Sequence, residues 1–306
     1  MSVVVTGIGA CSALGSTVAD IHRALQTGDM GCFPALDERK GLPILGFGHS
    51  RVDVRPFLKR RKDRKLLPRA AHLAIIAASE AYSGVRQSET ALFMGVGPEP
   101  SEVETEAALV ASMDSGRLCT ERLYRDGVAK YPPLAALKTL PNLVLAHVAI
   151  QLGCQGECGT RAGETAAGLS SLHAGYYSIV ERRSDVALCG AAESLVDAAT
   201  ARDVVRAGLI SPEESVGEAA AFVRLESLDT ARARRAPILA EINPPMLTQG
   251  PKKRWVSPLE RTVGYCGVAS AVLWMVMEIA AGRDGTIDAT ESSGSVCSLS
   301  WTTRTV

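Results

Sequence analysis

The residues able to do chemistry in this 306-residue chain are unevenly placed. Its five histidines (His22, His49, His72, His147 and His173) all fall in the first part, and its eight cysteines are scattered. Most cysteines have small apolar neighbours, as in Leu188-Cys189-Gly190 and Tyr265-Cys266-Gly267, the setting of free, buried thiols. No Cys-x-x-Cys pair occurs, and Cys154 with Cys158 lacks a nearby histidine pair, so no metal site is expected. Thr6-Gly7-Ile8-Gly9-Ala10 follows a β-branched run, and glycines there could let a pyrophosphate approach a helix N-terminus. A third glycine is missing and no Tyr-x-x-x-Lys pair occurs, so a tight strand-to-helix turn is the favoured reading and no cofactor is expected. The run Lys59-Arg60-Arg61-Lys62-Asp63-Arg64-Lys65 reads first as a solvated loop and second as a patch that could steer an acidic partner.

The elements that must position these groups alternate. Residues 3–7 read as a strand, 16–27 as a helix, 69–82 as an alanine-rich buried helix and 91–96 as a continuously apolar strand. Helices at 143–152 and 165–182 precede a buried strand at 185–190, and 218–225 is a further strand followed by a short helix at 228–233. A strand opening at 237, a long helix over 264–281 and a last strand at 294–301 complete the pattern. Strands apolar on both faces, alternating with small-residue helices, predict α/β sheets covered on both sides. With no Pro/Gly/Ser-rich linker, the expectation is one globule with an internal pseudo-repeat, divided at 1–235 and 236–306.

Lys+Arg and Asp+Glu number 33 each and 46% of residues are hydrophobic. That balance argues for a globular protein and against nucleic-acid binding. The start lacks a basic n-region, which predicts a cytoplasmic protein. The longest apolar run, residues 263–281, is broken by Glu278, and no membrane span is expected.

Several segments, in order, resemble the β-ketoacyl synthases. Val3-Val4-Val5-Thr6-Gly7-Ile8-Gly9-Ala10 with Ala13-Leu14-Gly15 is similar to that family's opening strand, and Arg69 with its helix, then Phe93-Met94-Gly95-Val96-Gly97, to the next helix and strand. The most specific match is Leu140-Pro141-Asn142-Leu143-Val144-Leu145-Ala146-His147-Val148-Ala149-Ile150-Gln151-Leu152-Gly153, with Val186-Ala187-Leu188-Cys189-Gly190-Ala191-Ala192-Glu193 and Val216-Gly217-Glu218-Ala219-Ala220-Ala221 as later landmarks. The resemblance implies a thiolase-like fold, two pseudo-repeated halves in stacked αβαβα layers, normally dimeric, with the second half shortened here.

It also implies what is lost. The family condenses acyl thioesters with a cysteine at a buried helix N-terminus and two histidines from the later part of the chain. In this chain the nucleophile position falls on Thr165, whose hydroxyl needs a strong adjacent base to act. Gly264-Tyr265-Cys266-Gly267 resembles the family's Gly-His segment with Tyr265 in the histidine's place, and Glu260 stands where a lysine is usual. Between Ile242 and Trp255 several elements are missing, and the family's Gly-Phe-Gly-Gly loop falls on Glu291-Ser292-Ser293-Gly294. Glu164-Thr165-Ala166-Ala167-Gly168-Leu169 is similar to the corresponding segment of chain-length factors, cysteine-less subunits that pair with an active ketosynthase.

The resemblance therefore implies a pseudoenzyme: a chain-length-factor-type partner of a catalytic ketosynthase in type II polyketide, aryl-polyene or fatty-acid-like biosynthesis. Thr165 and Tyr265 would mark the vestigial site, with Glu164, Glu260, Ser292 and Ser293 as acyl-pocket candidates. Lys59, Arg60, Arg61, Lys62, Arg64 and Lys65 would be candidates for docking an acyl carrier protein. The alternatives are a divergent enzyme that hydrolyses or transfers an acyl thioester through Thr165, Tyr265 or a cysteine, and a pathway scaffold without ligand.

Overall fold

The computed structural model describes residues 1–34, 44–82, 89–97, 103–135, 138 and 140–304. The β-branched opening forms β1 (Val3–Ser12), with Val3, Val4 and Val5 wholly buried. The strand does not end in a turn at Gly7, as the glycines suggest, but continues to Ser12. A Cβ on Gly7 would come 2.2 Å from the Ala81 carbonyl oxygen, and one on Gly9 2.1 Å from that of Ala77. These glycines admit a helix backbone against the strand, which is why the pattern imitates a phosphate loop without being one.

In chain order follow α1 (Val18–Thr27), β2 (Phe33–Pro34), β3 (Gly46–Gly48), α2 (Arg69–Ala81), β4 (Ala91–Val96), α3 (Val103–Ala111) and the hairpin β5 (Met113–Asp114) and β6 (Arg117–Leu118). Next come α4 (Pro141–Leu152), β7 (Cys158–Ala162), α5 (Thr165–Val180), β8 (Val186–Ser194), α6 (Ala198–Arg206), β9 (Val216–Ser227) and α7 (Leu228–Ala233). The chain ends with β10 (Ala240–Ile242), β11 (Met246–Gln249), α8 (Ala269–Ala280), β12 (Gly285–Thr290) and β13 (Ser295–Thr303).

One mixed sheet runs in the order β11-β13-β10-β1-β9-β8-β4-β7, with β12 also paired to β13. β4 is parallel to β7 and β8, whereas β9 is antiparallel to both β8 and β1. On one face α2 and α4 bury Leu73, Ile75, Val144 and Val148 against Leu92, Met94 and Phe222. On the other, α5 and α8 cover the sheet, and β12 and β13 pack over these two helices from the opposite side. The fold is α/β and thiolase-like, and α5 and α8 are its buried central pair.

Two differences from the sequence pattern have local causes. The long C-terminal helix starts at Ala269 rather than 264, because Gly264 and Gly267 take positive φ of 82° and 53°. β7 carries no apolar run because it is an edge strand, exposed at Cys158, Arg161 and Ala162. Among the described residues no helix is long and apolar enough to cross a membrane.

Candidate functional site

The site forms where α5 and α8 start beside each other. A Cβ on Gly168 would come 2.1 Å from the Val268 carbonyl oxygen, so the missing side chain at Gly168 is what lets the two helices approach. Thr165 opens α5 and is completely buried. Its hydroxyl donates to the Gly267 carbonyl at 3.4 Å and lies within hydrogen-bonding reach of the Tyr265 phenol.

Tyr265 is almost fully buried, and burial, followed by the negative charge of Glu193, pushes its phenol far above the ordinary value. It stays protonated and cannot take the proton of Thr165. The Arg254 guanidinium covers its ring, 4.6 Å from the centroid, held in turn by Glu260 at 2.6 Å and Glu214 at 2.8 Å. Glu260 therefore meets the site through Arg254.

Each central helix begins on a carboxylate from elsewhere in the chain. Glu193, at the end of β8, accepts the Val268 N–H at 2.7 Å at the start of α8. A Cβ on Gly97 or Gly267 would collide with that carboxylate, at 1.7 and 1.6 Å. Glu291 Oε1 accepts the N–H groups of Glu164 at 3.1 Å and Ala167 at 3.0 Å at the start of α5. The Glu164 carboxylate reaches the other way, accepting from Ser292 N at 2.8 Å and from the Ser292 hydroxyl.

Residues 1–226 match the family described as Beta-ketoacyl synthase, N-terminal domain. The chain belongs to the β-ketoacyl synthase family. Nodulation protein E of Rhizobium leguminosarum bv. trifolii is 26% identical over 262 residues, covering 78% of this chain and 61% of that protein. The chain thus spans about three fifths of the length of this curated relative. The ishigamide ketosynthase/chain length factor superposes with a TM-score of 0.81 at 19% identity, covering 99% of both chains. A type II polyketide synthase acyl-carrier protein in complex with its ketosynthase bound to the hexaketide gives 0.77 at 17% identity, over 99% of both chains.

Against this family frame, the residues expected from sequence divide into three groups. Thr165, Tyr265, Glu164 and Ser292 converge around the start of α5. Ser293 meets that start only through Glu291, its hydroxyl donating to that carboxylate at 3.3 Å and bonding the Ser295 hydroxyl at 3.1 Å. Lys59, Arg60, Arg61, Lys62, Arg64 and Lys65 lie apart, exposed around a 3-10 turn, with Arg60 paired to Asp63 at 3.2 Å. Beside α5 a cavity of about 500 Å³ is lined by Arg161, Ala166, Ala167, Ser170, Leu247 and Glu291. Glu193, Glu291 and Arg254 were not legible as site residues. Glu193 and Glu291 stand in segments the family resemblance marks, but only the fold brings their carboxylates onto two helix starts.

Proposed function

We propose that this chain is a non-catalytic, chain-length-factor-type subunit that pairs with an active β-ketoacyl synthase in type II polyketide, aryl-polyene or fatty-acid-like biosynthesis. One observation carries the reading: Thr165, which the sequence resemblance aligns with the family's nucleophile, is fully buried, its hydroxyl tied to the Gly267 carbonyl beside a phenol that stays protonated. A threonine without a base does not attack a thioester, and the sequence has no histidine beyond His173 to supply one. The edge strand β7 supports a partner, because among the described residues it pairs only with β4 and ends the sheet beside the start of α5. The exposed cations at Lys59, Arg61, Lys62, Arg64 and Lys65 are a surface suited to an acidic acyl carrier protein.

The test is co-expression with an intact type II β-ketoacyl synthase from the same organism, followed by size-exclusion chromatography with light scattering. A stoichiometric complex is expected, and self-association when the chain is made alone. A stable monodisperse monomer that captures no ketosynthase, or turnover of an acyl thioester by the chain alone, overturns the proposal.

A further inference from the structure

We infer that Glu291 is an internal anion that latches the start of α5, so that the site around Thr165 is closed by occupation as well as by the loss of its nucleophile. The inference rests on the non-catalytic reading above and deepens it.

The first N–H groups of a helix lack partners within it and collect positive potential, which is what suits such an end to a thiolate or an oxyanion. α5 has 16 residues and receives no side-chain cap from its own N-cap residue, Glu164. Instead a single carboxylate oxygen from a loop 127 positions away takes the N–H groups of Glu164 and Ala167. In a capping box two side chains share those tasks; here Glu291 performs both. The place for it is built: a Cβ on Gly163 would lie 2.8 Å from Glu291 Oε1. The contact is also reciprocal, since Glu164 holds Ser292 through N–H and hydroxyl and so ties the 291–294 loop down over the helix. Any negative charge developing at the start of α5 then faces a carboxylate already in position, with two of the N–H groups there, those of Glu164 and Ala167, already engaged.

The test uses the full chain with Thr165→Cys as a reporter, alone and combined with Glu291→Gln, which keeps the size of the side chain and removes its charge. Alkylation by iodoacetamide is followed from pH 6 to 10 at each cysteine by peptide mass spectrometry, with the exposed Cys158 as internal reference. Loss of the Glu291 charge should move the rate profile of the introduced thiol about one pH unit lower, which is about tenfold faster labelling at neutral pH. Coincident profiles overturn the inference.

Amide exchange in the otherwise unaltered chain gives a second readout that does not depend on thiol access. In Glu291→Ala the Glu164 N–H loses its acceptor and should exchange at least about tenfold faster; unchanged protection overturns the inference, and decides the matter if the thiol is unreactive in both backgrounds. Condensation by the Thr165→Cys chain alone would overturn the non-catalytic reading instead, so the two failures are distinguishable.

Discussion

The Arg254 guanidinium lies 4.6 Å from the centre of the Tyr265 ring, directly over the phenol that meets Thr165 at the start of α5. Arg254 is 12% exposed and bridges two carboxylates, Glu260 and Glu214. The segment between Ile242 and Trp255 thus supplies the guanidinium that covers Tyr265. Arg254→Ala should cost about 2–4 kcal/mol in urea unfolding, because it leaves Glu260 buried without its partner. A loss below about 1 kcal/mol, the worth of a surface pair, would show that the bridge is superficial.

The same variant should respond to pH in a defined direction. Burial raises the Glu260 carboxyl and Arg254 opposes that rise. Without Arg254 the folded-state value climbs further above the unfolded one. The contribution of Glu260 to the stability of Arg254→Ala should therefore be most favourable in acid and be lost as pH rises through the elevated value. Its deficit against the parent chain should shrink between pH 7 and 5, and a constant deficit would contradict this.

Rebuilding two members of the family's machinery should not restore the reaction. Thr165→Cys with Tyr265→His returns a thiol and one imidazole, but Arg254 remains against that imidazole, and the Glu291 carboxylate remains on the N–H groups of Glu164 and Ala167. Release of carbon dioxide and condensation from malonyl carrier protein are expected at background. Turnover above the parent chain would mean that another group assists.

Gly168→Ala should be among the most damaging small substitutions. The added methyl would meet the Val268 carbonyl at 2.1 Å, in backbone that cannot step aside without separating α5 from α8. A loss of about 3 kcal/mol, or failure to fold, is expected. A thermal midpoint within about 2 °C of the parent would place the helices further apart than described.

Burial lowers the imidazoles of His72, His147 and His173 below their ordinary value of 6.5. Each contributes stability that is complete above pH 6.5 and declines as pH falls through its depressed folded value. NMR titration should find all three midpoints below 6.5 in the folded chain. A midpoint above 6.5 for any of them would reverse its sign.

Reversing charge at Arg61, Lys62 and Lys65, all exposed, should slow association of an acidic carrier protein about tenfold at low salt while leaving unfolding unchanged. Binding insensitive to both the reversal and added salt would move the docking surface elsewhere.

Sequence alone determined the α/β class, because the apolar strands and small-residue helices advertise burial locally: residues 91–96 and 228–233 form the elements their patterns predict. It also supplied the residue identities on which the proposed loss of chemistry rests, Thr165, Tyr265 and the absence of any histidine beyond His173. It misread Gly7 and Gly9, which serve helix packing within a strand, because a glycine signals close approach without saying to what. It left β7 unseen because an edge strand needs no apolar alternation. Only the tertiary structure decided which charges meet the central helices. Glu164 and Glu291 are 127 positions apart, and Arg254 reaches Tyr265 from a segment with no element of its own at that point. Contacts of that range are set by how α5, α8 and the last strands pack, and a carboxylate's neighbours follow from that packing rather than from local spacing.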